Sequence, residues 1–139
     1  MGRRFLVVRR WSPSGLDLAL LRARSGRGRG AVASRTILRP GVVVTFWGHT
    51  GRRFQRRLAT ITAVSATTAT ALVHHPRGVC ANDSGGPVFV GAALVAVAVA
   101  RTGPPVAARC SRHLVMVRLD AVRMRRRIAA AYARAESGG

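Results

Sequence analysis

Lysine is absent from this chain of 139 residues, and acids are nearly so: 24 basic residues, all Arg, stand against 4 Asp and Glu, giving a formal net charge of +20. Such a field attracts polyanions of any kind, nucleic acid and anionic membrane included, without naming one. Arginine without lysine, beside abundant Ala, Gly and Val, also matches the codon bias of a GC-rich genome, which takes weight from the charge. Aromatic residues are scarce at 5%, whereas nucleic-acid binders mix Lys with Arg and add stacking aromatics. No apolar run approaches the ~20 residues that span a bilayer, so no membrane span is expected. The apolar run at Phe5 to Val8 is too short for the core of a signal peptide. If the protein is secreted, its signal lies outside this sequence. Only two cysteines occur, Cys80 and Cys110. No Cys-x-x-Cys or neighbouring His pair accompanies them, so they form no metal motif. By themselves they read equally as a disulfide or as two free thiols.

What is present points to a folded β-domain. Hydrophobic residues make up 48%, which excludes a typical disordered tail, and the length suits one domain with a real core. Short runs rich in Val, Leu, Ile or Thr predict strands at Phe5–Val8, Leu18–Leu21, Val42–Phe46, Ala59–Val64, Thr70–Val73, Val88–Val90, Leu94–Val99 and Leu114–Leu119. Gly, Pro and Ser turns separate them, the pattern of an antiparallel sandwich or barrel. Ser25 to Ser34 reads as an exposed loop, and Pro40-Gly41 as a turn before a strand. Arg52-Arg53 and Arg56-Arg57 flank Phe54 and read as a solvated strand pair rather than a nucleic-acid hairpin. Asp120 is an N-cap candidate for a helix over Ala121 to Ala135. Ala121, Met124 or Arg125, Ile128 and Tyr132 fall on one face of it, with Arg123, Arg126 and Arg127 facing water. There is no internal repeat.

With 4 acids in the chain, the position of each is informative. Asp17 stands just ahead of an apolar strand. Asp83 precedes Ser84, Gly85, Gly86 and Pro87. Glycines let the backbone turn tightly and expose consecutive N–H groups to one point. Acyl transfer asks for that arrangement: a hydroxyl nucleophile beside amides that stabilise an oxyanion.

On these residues the chain resembles the chymotrypsin/trypsin-like serine proteases. Asp83-Ser84-Gly85-Gly86-Pro87 matches their nucleophile motif over five consecutive residues. Asp17-Leu-Ala-Leu-Leu is similar to the strand carrying the triad aspartate. Gly41-Val-Val-Val-Thr-Phe-Trp-Gly-His-Thr resembles the Gly-Trp-Gly segment, and Leu94 to Val99 the strand lining the substrate cleft. Cys110 and Val115-Met-Val-Arg-Leu resemble the segment leading into the C-terminal helix.

The resemblance implies an all-β fold: a chymotrypsin-like antiparallel Greek-key β-barrel, the second of two, with part of the first and a C-terminal α-helix. Residues 1–30 are then a remnant of the first barrel, 36–119 the second barrel and 120–135 the helix of a single, N-terminally incomplete domain spanning 1–139. The implied activity is that of an extracellular, monomeric serine endopeptidase acting on peptide or protein substrates without cofactor or metal. Ser84 is the implied nucleophile, and the amides of Asn82 and Ser84 the oxyanion hole. Asp17 orients the general-base imidazole. Asp83 pairs with a new N-terminus in members made as zymogens, Gly85 and Gly86 shape the turn, and Cys80 and Cys110 form the disulfide beside the specificity pocket. Gly78, six positions before Ser84, falls at the base of that pocket, with Val99 and Arg101 on the cleft strand. Gly78 carries no charge, which implies cleavage after apolar or aromatic residues, or after an acid if Arg101 turns inward.

The chain departs from the pattern at the base. None of the sixteen residues before Asp17 is His, and His49, His74, His75 and His113 fall in segments matching other parts of the fold. Loss of the base in a related triad costs roughly a millionfold in turnover. The expectation is therefore a protease barrel inactive as this chain. Two other readings stand beside it: an inactive pseudoprotease, and a basic module binding nucleic acid or another polyanion.

Overall fold

The computed structural model describes residues 7–11, 20–23, 32–33, 37–50 and 52–137, in two compact units. One unit, Ala31–Ala121, contains a closed antiparallel barrel. The other, Met1–Gly30 with Val122–Gly139, contains an antiparallel pair and a helix.

In the second unit, β1 (Val7–Trp11) pairs antiparallel with β2 (Leu20–Ala23). The helix α1 runs Val122–Ser137. Met124 and Ala131 are buried and Ile128 is half-buried, whereas Tyr132 is 59% exposed. The buried stripe thus runs i, i+4, i+7 and leaves out the predicted Tyr132.

The barrel unit opens with β3 (Val32–Ala33), which adds in parallel to β9 (Ala93–Ala107). The barrel itself uses β4 (Val43–Thr50), β5 (Arg53–Val64), β6 (Thr68–Val73), β8 (Pro87–Val90), β9 and β10 (Cys110–Arg118). Around the barrel the order is β4-β5-β6-β10-β9-β8, and β8 returns to β4. A two-residue strand, β7 (Val79–Cys80), adds to β10. Each expected strand has an observed counterpart, and several are longer. β5 begins at Arg53 and β9 continues through Pro104 and Pro105, where polar or proline content hides a strand.

Period-two alternation builds the core. On β4 it turns Val44 and Phe46 inward, on β5 Ala59 and Ile61, on β6 Ala69, Ala71 and Val73, and on β10 Leu114 and Met116. Large Phe46, Ile61, Leu114 and Met116 and small Ala59, Ala71, Ala96 and Ala98 are all buried, the mix of sizes that a narrow barrel interior takes. Each large side chain contributes about 1.5–3 kcal/mol by leaving water. Register shifts at Ile61/Ala63, Val88/Phe89 and Val115/Met116 mark bulges, which bend strands so that the sheet closes.

The predicted Pro40-Gly41 turn forms, with Gly41 at φ +91° and its N–H donated to the Ile61 carbonyl at 2.8 Å. The expected role of Asp120 as a helix cap is corrected. Its Oδ2 accepts from the Leu38 amide at 2.6 Å, and both oxygens accept from Arg118, at 3.0 and 2.9 Å. Arg118 Nη1 also donates to the Ser65 carbonyl at 2.7 Å, tying the β5–β6 turn to the end of β10. Burial pushes the Asp120 carboxyl up, but the Arg118 and Leu38 hydrogen bonds and the Arg118 charge prevail and hold it below the usual carboxylate range.

Candidate functional site

Ser84 follows a 3-10 turn, Ala81–Asp83, that leads out of β7. Two glycines then hold the chain against the barrel. Gly85 adopts φ +87°, a region favouring glycine, and donates its N–H to the Ala98 carbonyl of β9 at 2.7 Å. Gly86 accepts from the Ala98 amide at 2.9 Å. A Cβ on Gly86 would collide with the Trp47 carbonyl of β4, so both glycines are required by the path of the chain.

Asp83 anchors the turn from below. Its carboxylate accepts from the Cys80 amide at 2.8 Å, and Arg57 of β5 donates Nη1 to Oδ2 at 2.6 Å and Nη2 to Oδ1 at 3.3 Å. Both side chains are fully buried. Arg57 Nη1 also donates to the Gly78 carbonyl at 3.0 Å, and its guanidinium stands 5.2 Å from the centre of the Phe46 ring. The cation that compensates Asp83 is thus an internal arginine. Its burial corrects the reading of Arg57, which the sequence puts on a solvated strand. Counting inward positions back from Ile61 and Ala59 brings Arg57 to the barrel interior, and that alternation was the signal for it.

Beside Ser84 lies a cavity of about 400 Å³. Val79, Ala81, Ala98, Ala100 and Leu114 supply apolar walls, with Cys80, Asp83, Ser84 and Arg101 completing the lining. Ser84 is exposed, and its Oγ donates to the Val99 carbonyl at 3.0 Å. Arg101 Nη1 donates to the Ser111 hydroxyl at 3.4 Å. Cys80 and Cys110 form a disulfide across the β7–β10 register, fastening the start of the Ser84 turn to β10.

Two residues expected at the pocket are not among those lining this cavity. Gly78 is buried at φ +60° with its carbonyl on Arg57, and the Ser111 carbonyl fills the space a side chain would take. It stands outside the cavity lining, because a residue without a side chain, turned toward Arg57, presents nothing to it. Val99 reaches Ser84 through its carbonyl and does not line the cavity. Asn82 is exposed on the turn and also lies outside the lining. Asp17 lies outside the described residues, as does most of the expected loop from Ser25 to Ser34.

Among the described residues, no histidine lines the cavity. His49 tilts against Phe54 with ring centres 5.2 Å apart. His74 Nε2 hydrogen-bonds the Thr60 hydroxyl at 2.6 Å, His75 Nδ1 accepts from the Arg77 amide at 3.2 Å, and His113 packs by Gly103. Among the described residues, no group of three or more His, Cys, Asp or Glu converges as a metal site would require. No helix there is long and apolar enough to cross a membrane. The chain has no significant match to a protein-family model or to a curated protein.

Proposed function

We propose that the barrel is the nucleophile-bearing barrel of a chymotrypsin-like serine endopeptidase, with Ser84 as the acyl-accepting hydroxyl. One observation carries the reading: Ser84 stands on a glycine-held turn at the wall of a cavity sized for a side chain. The strand order supports it as well. The first three barrel strands are sequential neighbours, and the last three return in reverse order to meet the first, the order expected of the Greek-key barrels in that family.

In this reading an extended peptide lies along β9 at Val99 to Arg101, one side chain enters the cavity, and its carbonyl carbon meets Ser84 Oγ. The amides of Asn82 and Ser84 receive the oxyanion. The Ser84 proton needs an acceptor stronger than the Val99 carbonyl, and among the described residues no imidazole lines the cavity to take it. By itself the chain therefore binds peptide and turns it over very slowly, as a pseudoprotease does. The Cys80–Cys110 disulfide supports an oxidising, extracytoplasmic setting for it.

The test combines a fluorophosphonate probe with peptide titration. The chain is expected to leave the probe unreacted while short extended peptides shift the NMR signals of Ala98, Ala100 and Arg101. Rapid labelling abolished by Ser84→Ala would give Ser84 a base and make the chain an enzyme unaided. The absence of both labelling and peptide-induced shifts would overturn the reading.

A further inference from the structure

We propose that Arg101 makes the cavity beside Ser84 a receptor for an acidic side chain, Glu or Asp, of the bound peptide. The inference rests on the peptide-cleft reading above and names the class of residue that the cleft selects. Among the described residues, two charged groups line the cavity, Asp83 and Arg101. Asp83 is already neutralised: the buried Arg57 guanidinium covers both of its oxygens, and the Cys80 amide takes a further bond. Arg101 is the opposite case. It forms no ion pair among the described residues, and one long hydrogen bond, 3.4 Å, runs from its Nη1 to the neutral Ser111 hydroxyl. The Asp83–Arg57 pair is neutral as a unit, so the described lining presents one net positive charge.

The surroundings favour a carboxylate as the incoming partner. Val79, Ala81, Ala98, Ala100 and Leu114 offer no competing acceptor side chain. A guanidinium has five N–H donors in a planar fork, and a carboxylate takes two of them in parallel. Ser111, 5% exposed, holds one arm of the fork and limits the freedom Arg101 would lose on binding. A cationic side chain would meet the same charge with no free acid to offset it.

The experiment titrates the chain with four C-terminally amidated peptides, acetyl-Ala-Ala-Pro-X-amide with X Glu, Gln, Leu or Arg, and with the free acid of the Leu peptide. Affinity is read from the amide NMR shifts of the cavity residues. Glu is expected to bind at least about tenfold tighter than its neutral isostere Gln, and Arg most weakly. Arg101→Ala and Arg101→Gln, both at an exposed position, are expected to remove the preference for Glu over Gln. Equal binding of Glu and Gln, or a Glu preference that survives both variants, overturns the proposal while leaving the cleft intact. Arg101-dependent binding of the Leu free acid without a Glu preference also overturns it, because the guanidinium would then be reading a chain terminus. If no peptide moves the cavity signals, the cleft reading itself falls and the proposal with it.

Discussion

Arg57 and Asp83, 26 positions apart, meet as a fully buried ion pair beneath the Ser84 turn, with Nη1 to Oδ2 at 2.6 Å. Neither charge has access to water, so each depends on the other. The pair joins β5 to the 3-10 turn, and through the Arg57 bond to the Gly78 carbonyl it also holds the segment entering β7. The shape of the candidate site therefore rests on a contact inside the barrel.

Arg57→Leu is expected to destabilise the protein by about 3–5 kcal/mol, because it leaves the Asp83 carboxylate buried without a cation. The double variant Arg57→Leu/Asp83→Asn should recover much of that loss. Urea unfolding at neutral pH checks both. A double variant no more stable than the single one would mean that Arg57 acts through packing on Phe46 rather than through charge.

Asp120 governs part of the acid sensitivity. Its folded pKa is lowered, so its contribution is fully present above the ordinary carboxylate value of about 3.9 and declines as pH falls through the folded value. Asp120→Asn should lower stability at neutral pH and flatten the loss of stability below about pH 4. Thermal unfolding across pH 2 to 7, with about 3.9 as the upper edge of the window, compares the two slopes.

Gly48 is fixed by the same buried pair. A Cβ there would fall on the Asp83 carboxylate, with Cγ at 2.7 Å. Gly48→Ala is expected to cost about 1–3 kcal/mol through overpacking and to disturb the Ser84 turn. Gly91 has open space around its Cβ site but φ +58°, so Gly91→Ala tests backbone strain without the clash. NMR shifts at Ser84 should move for Gly48→Ala and stay in place for Gly91→Ala.

Replacing both Cys80 and Cys110 by Ser should remove about 3–4 kcal/mol in the chain-entropy model for a loop of this size. The separation of 30 residues sets that loop, and β7 is only two residues long, so the loosening should centre on the Ser84 turn. Hydrogen exchange at Val79 to Ser84 measures it.

The basic surface should bind DNA weakly, without sequence preference, and release it steeply as salt rises. Arg52, Arg53 and Arg56 are exposed on the β4–β5 hairpin, beside the stacked Trp47 and Phe54 rings. Replacing the three arginines by Ala should reduce the slope of log affinity against log salt by roughly 0.9 for each phosphate they neutralise. Sequence-selective binding that persists at physiological salt would favour the nucleic-acid reading over the peptide cleft.

Local pattern determined much of this protein. Alternating Val, Ala and Leu segments mark out the barrel strands, because a half-buried strand must repeat every two residues. Pro40-Gly41 marks a turn because Gly41 alone there carries a positive φ without strain. The Asp83 to Pro87 motif marks the Ser84 turn because tight glycine geometry is written locally. Tertiary structure decided what depends on distant partners. It chose a disulfide for Cys80 and Cys110 by setting them opposite one another on β7 and β10. It set Gly78 against the Ser111 carbonyl, where no side chain fits. It drew Asp120 away from the helix to Arg118 and Leu38. Above all it selected Arg57, one of 24 arginines, as the counter-ion of Asp83. Sequence shows that an arginine is present, but only barrel closure decides which one leaves water, because a buried acid must find its cation among the side chains that share its interior.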